Sequence, residues 1–303
     1  MQSRHSLTAG LARRLTSRAC AVCLAIMLIA SSSAVSQAQE PGTRMLALGG
    51  DVAEILARLG LADRLIARDD TVTYPPELAE LPSVGYLRRL SGESVLGLAP
   101  DWVIASDAAG PKEVLAQVAA SGVTLVEVQA PPRLEAIDDK VRLIARAVGR
   151  DAAGDALATE IDDRLARLDR LAPLTGLKVM FMLHHGGMTP MIGGRATIAQ
   201  QLIEALGADN AFADMQGYKP VSAEGLVPAA PEVVIVPEDG LAALGGEPGL
   251  WRLPGLALTP AAEARWVVPV DSVALMNLGP RTPQALIDLH QRLAAGPDQA
   301  AAP

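Results

Sequence analysis

The sequence predicts an α/β protein of two similar lobes, each with a central, mostly parallel sheet, joined by one long helical segment. Three observations carry that expectation. Short apolar runs alternate with amphipathic helical stretches, which indicates parallel sheets covered on both faces. Between Arg133 and about Leu171 the apolar positions instead recur at helical spacing, with no proline until Pro173. Finally, a block of residues in the first half returns in the second at a fixed offset. The expected division is a signal segment 1–38, a first lobe 43–132, a linking helix 133–172, a second lobe 177–294 and a loose tail 295–303.

In chain order, the apolar run Met45–Leu48 before Gly49-Gly50 reads as a buried strand. A helix from Asp51 to Leu59 follows, stopped by Gly60. Leu65–Ala67 is a second strand, and residues 72–82 form a loop broken by Pro75, Pro76 and Pro82. Ser91 caps a short helix ending near Ala99-Pro100. A strand at Trp102–Ala105, a helix from Pro111 to Ser121 and a strand at Thr124–Val128 complete the first lobe. The linking stretch carries Leu134, Ile137, Val141, Ile144 and Val148, then Leu157, Ile161, Leu165 and Leu168. It reads as one long helix or two nearly collinear ones. The second lobe shows strands at Lys178–Leu183, Glu232–Val236 and Arg265–Val270, with helices at Thr197–Leu206 and Pro283–Leu293.

The first 38 residues form a separate class of sequence. Arg4, Arg13, Arg14 and Arg18 precede an apolar run from Ala19 to Ala30 and a small-residue end at Ala38, the pattern of a secretory signal peptide. Both cysteines, Cys20 and Cys23, fall inside it, so the expected exported chain has none and is held together by its core. Neither cysteine follows a lipoprotein cleavage pattern, and lipid anchoring is not supported. Without the segment, 22 basic side chains face 34 acidic ones. That balance excludes a nucleic-acid partner, which needs concentrated positive surface, and requires local cations for any anionic ligand.

The repeat pairs the lobes. Ser91-Gly92-Glu93 returns as Ser222-Ala223-Glu224, Ala99-Pro100-Asp101 as Ala230-Pro231-Glu232, and Val103-Ile104 as Val234-Ile235, always 131 positions apart. Duplicated lobes facing each other make a cleft at the carboxyl ends of their strands. Tyr86, five residues before Ser91, and Tyr218, four before Ser222, are expected to face that cleft from opposite sides. Glu93 and Glu224 stand as matched carboxylates in the first turns of equivalent helices.

The segment from Pro82 to Glu93 holds the candidate ligand residue. Tyr86 and Arg88 are two positions apart, so in extended backbone they project to one side. A cation beside a phenol favours the phenolate. That species is a hard oxygen donor suited to ferric iron, and tyrosine is a known axial haem ligand.

Four segments together resemble the periplasmic haem-binding proteins of bacterial haem ABC importers, and more distantly vitamin B12 and siderophore binding proteins. They are LGGDVAEILARLG, the run from YPPELAELPSVGYLRRLSGE to DWVIAS, VMFMLHHGGMTPMIGGRATIAQQLIEALGADNAF, and GYKPVSAEGLVPAAPEVVIVP. NLGPRTPQAL also fits, and the likeness runs from Arg44 to Leu293. It implies two Rossmann-like lobes joined by one helix, the class III periplasmic binding protein fold, with a small opening motion. By the VGYxR motif, Tyr86 becomes the ligand of ferric haem (iron protoporphyrin IX) and Arg88 its support. Glu93 and Glu224 become docking carboxylates for the permease. Some members use a second-lobe histidine, for which His185 is the best match and His184 the second choice. Arg89, Arg195 and Lys219 are candidate partners of the haem propionates, with Leu87, Met188 and Met191 as apolar walls. Gly92 stands where the family pattern has alanine.

The expected function is haem capture and delivery to ABC permease and ATPase subunits at the inner membrane, downstream of an outer-membrane haem receptor. No bond in the ligand is made or broken. A corrinoid or ferric siderophore is the alternative cargo. Bare metal would need three or four converging His, Asp or Glu ligands, yet only His184, His185 and His290 remain after the signal segment. An exported nucleotide-dependent enzyme has only Gly49-Gly50 in its favour, because the phosphate-binding glycine patterns are missing.

Overall fold

The computed structural model describes residues 43–184, 187, 189–220 and 222–297. The expected signal segment, Cys20 and Cys23, His185 and Met188 lie outside the described residues.

Strand β1 (Met45–Leu48) is wholly buried, as an apolar run flanked by parallel neighbours must be. It leads through Gly49 into helix α1 (Gly50–Arg58). Strands β2 (Leu65–Arg68), β3 (Trp102–Ser106) and β4 (Thr124–Val128) join it in a parallel sheet ordered β2-β1-β3-β4. Helix α2 (Gly92–Leu96) precedes β3, and α3 (Lys112–Ala120) connects β3 to β4. Leu46, Leu48, Val103, Val95, Leu115 and Val118 pack together on one face of this sheet.

The linking stretch differs from the expected collinear helix. Helix α4 (Ile137–Ala147) stops and α5 (Asp151–Asp169) starts after a break at Val148–Arg150. Gly149 adopts φ 68°, and Arg150 N–H reaches back to Ala145 O at 2.8 Å, the left-handed glycine closure that ends helices. The two helices then lie side by side. A Cβ on Gly154 would stand 2.2 Å from Ala145 Cβ, so glycine permits the close approach. Arg142 of α4 pairs with Asp138 on its own helix and reaches Asp155 and Asp162 of α5 at 3.5 Å each. Helix α5, with 19 residues, spans about 28 Å and carries the chain on toward the second sheet.

That sheet has six strands. β5 (Lys178–Leu183) lies at its centre, with β9 (Val233–Pro237) and β10 (Val267–Val270) parallel on one side. On the other side β7 (Asp209–Asn210) pairs parallel with the start of β5. The antiparallel ribbon β6 (Met191–Gly193) and β8 (Tyr218–Lys219) pairs with its end. The helices of this lobe include α6 (Ile198–Ala205), α7 (Ala223–Ala229), α8 (Ser272–Met276) and α9 (Thr282–Ala294). The short antiparallel ribbon, too brief to show a strand period, was not expected from the sequence.

The repeat is visible in the backbone. Ala99 and Ala230 hold φ 46° and 45°, a left-handed conformation that disfavours a Cβ by roughly 1–2 kcal/mol. Just beyond them Asp101 Oδ2 accepts from Arg44 N at 2.8 Å, and Glu232 Oε2 accepts from Lys178 N at 2.9 Å. The same acidic residue thus ties the start of each lobe's central strand pair. Besides a private core in each lobe, a continuous cluster joins β1 and α1 to α4, α5, β5 and α9. It includes Ile55, Val141, Ile161, Phe181 and Leu286.

Candidate functional site

The loop carrying Tyr86 is pinned at both ends. Val84 N–H donates to Arg68 O at 2.8 Å, and Leu90 N–H donates to Gly110 O at 2.9 Å. Gly85, at φ 95°, turns the chain between these anchors. Val84, Leu87 and Leu90 point into the first lobe's core, which sends the residues between them outward. Tyr86 is consequently 42% exposed, a large ring held in view by its neighbours' burial. Arg89 places its guanidinium 5.7 Å from the ring centroid. Tyr86 and Arg88 both line a cleft of about 450 Å³ between the lobes. Among the described residues neither side chain has a hydrogen-bond partner, so the phenol oxygen is free to bind a ligand.

The opposite wall of that cleft is Ile198 at the start of α6 and Met276–Leu278 at the end of α8. Its floor is polar. Lys140 of α4 is 8% exposed, with Nζ 2.5 Å from Asp51 Oδ2 and 3.1 Å from Leu278 O. Asp69, fully buried, accepts from Gly49 N, Thr71 N and Thr71 Oγ1 at 2.6–2.7 Å and fixes the turn into α1. Burial pushes its carboxyl above the ordinary range, with those hydrogen bonds acting the other way. Beside the cleft, Glu54 accepts from Arg281 N at 2.9 Å and Nε at 3.1 Å, and the Arg281 guanidinium lies 3.5 Å from the Tyr74 ring centroid. These contacts close the lobes' seam. Sequence reading missed them because they join residues 89 to 227 positions apart. One local signal existed: Lys140 shares an otherwise apolar helix face with Ile137, Val141 and Ile144.

The expectation that two tyrosines share the cleft is corrected. Tyr218 is half-buried, and its hydroxyl oxygen accepts from Ala199 N–H at 3.3 Å at the start of α6. Burial raises its pKa above 10.0. Tyr86 precedes its capped helix by five residues and Tyr218 by four, and a one-residue slip in extended chain turns a side chain to the other face. Arg195 and Lys219 are exposed, lie outside the cleft lining and have no side-chain partner among the described residues. His184 is 7% exposed, with Nδ1 buried and without a hydrogen-bond partner among the described residues. It belongs to the lobe interior rather than the cleft. His185, the preferred histidine, lies outside the described residues. His290 is structural, bonded through Nε2 to Ala172 O at 2.7 Å.

Glu93 and Glu224 are both exposed in the first turns of α2 and α7. Ser91 caps α2 by accepting from Ser94 N–H at 3.0 Å. The departure at Gly92 has a local counterpart: a Cβ there would meet Gln117 Oε1 at 2.2 Å, so the Gln117 amide fills the space. A second cavity, of about 420 Å³, lies inside the second lobe among Met182, Ile192, Leu226 and Leu256. Its lining carries no charged side chain, whereas the Tyr86 cleft does. Among the described residues no group of three or more His, Cys, Asp and Glu could hold a metal ion.

A family model described as "periplasmic binding protein" matches residues 46–274. The chain belongs to the periplasmic binding protein family. This binding protein is similar to the periplasmic heme-binding protein RhuT from Roseiflexus sp. RS-1, solved in apo form. The two are 39% identical with a TM-score of 0.78, covering 86% of this chain and 99% of that one. It is similar also to the periplasmic heme-binding protein BhuT in complex with two hemes, at 38% identity and TM-score 0.78 over 85% and 99%. Vitamin B12-binding protein of Vibrio cholerae is 26% identical over 204 residues, 67% of this chain and 73% of that one. No helix among the described residues is long and apolar enough to cross a membrane.

Proposed function

We propose that this binding protein captures ferric haem between its lobes and delivers it to an ABC permease for import. The observation that carries the reading is Tyr86: an exposed phenol with a free oxygen, beside Arg88 and Arg89, at the cleft between two lobes. Ferric iron in a porphyrin has its four in-plane positions filled, so one axial oxygen donor suffices, and a cluster of metal-ligating residues is not needed. The likeness to heme-binding proteins at 38–39% identity favours haem over the corrinoid named for relatives at 26%.

In this mechanism Tyr86 binds iron as phenolate, Arg88 and Arg89 stand beside it as cations, and Ile198 and Met276 contact the porphyrin. Glu93 and Glu224 present one carboxylate per lobe to cationic groups of the permease, with ATPase subunits beneath. The N-terminal 38 residues direct export to the periplasm, downstream of an outer-membrane haem receptor. The ligand leaves chemically unchanged, so the role is binding and not catalysis.

The test is a titration with hemin followed at the Soret band, with cyanocobalamin in parallel. The expected product is a high-spin ferric spectrum with a phenolate charge-transfer band, lost in Tyr86→Ala. The same band persisting in Tyr86→Ala, or tight binding of cyanocobalamin with none of hemin, refutes the assignment.

A further inference from the structure

We propose that the floor of the cleft is a carboxylate subsite, in which Lys140, Ser106 and the first turn of α1 receive an acid side group of the cargo. The inference rests on the haem reading above, since protoporphyrin carries two such groups on one edge. Four observations place it.

Lys140 is buried at the cleft floor, yet its two hydrogen bonds, to Asp51 Oδ2 and Leu278 O, occupy only two of an ammonium's three donors. Ser106, also in the lining, is 6% exposed, and among the described residues its hydroxyl has no hydrogen-bond partner. Its hydroxyl opens on the cleft, where a ligand oxygen can replace water as its hydrogen-bond partner. Ser106 Oγ lies 3.1 Å from where a Cβ on Gly49 would sit, so it stands against the turn that starts α1. Helix α1 has nine residues, and its first two, Gly50 and Asp51, belong to the same lining.

Across the seam, a Cβ on Gly50 would come within 2.3 Å of the Asn277 side-chain amide. The second lobe therefore brings a further polar group to the spot. Two carboxylates also face the cleft. Asp51 holds Lys140 at 2.5 Å and largely cancels its charge, and Asp107 is exposed toward solvent. What remains at the floor is a surplus of donors, which suits a carboxylate better than a neutral ester or an alkyl group. Tyr86 and Arg88 border the same cleft, so one cargo molecule can meet the phenol through its metal and the floor through its edge.

The experiment compares hemin with hemin dimethyl ester, whose acids are blocked, by Soret titration of the full protein, Lys140→Met and Ser106→Ala. The wild type is expected to prefer the free acid by about tenfold, since a carboxylate oxygen accepts the floor's spare N–H and O–H donors more strongly than an ester carbonyl does. Lys140→Met should bring the two ligands to within about threefold of each other, and Ser106→Ala should narrow the ratio about twofold. The phenolate band should persist in both. An acid-to-ester ratio near one in the wild type, or unchanged in both variants, overturns the subsite. So does Lys140→Met weakening acid and ester equally, the mark of a strut between lobes. Should Lys140→Met not fold, the Ser106→Ala ratio decides. Absence of the phenolate band in the wild type is a different result and sinks the haem reading itself.

Discussion

Replacing Arg281 by methionine tests whether the two lobes are held by buried charge. Glu54 is 4% exposed and takes one bond from Arg281 Nε at 3.1 Å and one from its backbone N at 2.9 Å. Arg281→Met removes the first, the Tyr74 stacking contact and the Asp271 pair, and leaves the Glu54 carboxyl buried without its side-chain partner. Breaking one side of such a pair costs about 3–5 kcal/mol, whereas the Asp271 pair, half exposed, adds little. At about 2–4 °C per kcal/mol for a chain of this size, the melting temperature should fall by roughly 6–20 °C. Glu54→Leu with Arg281→Met removes both charges, and it should recover most of the loss because the buried Arg281 Nη2 has no partner among the described residues.

Burial pushes the Glu54 carboxyl above its ordinary 4.5, with Arg281 pulling it back. The folded state therefore holds that proton more tightly than the unfolded state. The contribution is fully present below pH 4.5 and is lost as pH rises through the raised value. Glu54→Gln should flatten the stability profile in that window. Urea unfolding at several pH values measures both effects. A single-mutant cost below about 1 kcal/mol, or a double mutant worse than Arg281→Met, refutes the clamp.

Three further outcomes follow from the geometry. Tyr218→Phe should cost about 1 kcal/mol by losing the acceptor for Ala199 N–H, leave the hemin spectrum unchanged, and weaken the stability loss above pH 10.0, where the unfolded phenol ionises and the folded one resists. Glu93→Gln and Glu224→Gln should keep hemin affinity within about twofold while haem uptake by cells falls about tenfold or more, because both carboxylates are exposed and stand outside the cleft lining. Gly92→Ala should change stability by less than about 0.5 kcal/mol in chemical unfolding, since the obstructing Gln117 side chain is exposed and can swing away.

How much the sequence revealed depended on the range of the interaction. Alternating apolar runs located the buried strands β1, β3, β5 and β9, because a buried parallel strand must be apolar on both faces. The 131-residue offset held down to the left-handed alanines Ala99 and Ala230, since the acidic tie beyond each one is also repeated. What failed was parity and long-range pairing. Tyr218 turned inward because it stands one residue closer to its helix than Tyr86 does. The helix break at Gly149 was readable only in retrospect, because glycine is tolerated inside helices as well as after them. Lys140, Asp51, Ser106 and Asn277 meet from four separate elements, and no local pattern announces such a meeting.

The seam also bears on how the cargo leaves. One apolar cluster runs from α1 through α4 and α5 to β5 and α9, and the Glu54–Arg281 and Asp51–Lys140 pairs close its edge. Opening the lobes widely would expose that cluster and strand two buried carboxylates, each at several kcal/mol. Release under the proposed function therefore calls for a small displacement at the cleft mouth. The Tyr86 loop is suited to it: four backbone hydrogen bonds, from Val84 to Arg68, Asp70 to Gly85, Leu90 to Gly110 and Gly110 to Leu87, tie it to the first lobe, and among the described residues none ties it to the second. Under that proposal, a permease pulling on Glu93 would strain the helix directly after that loop and act on the proposed iron ligand without first breaking the seam.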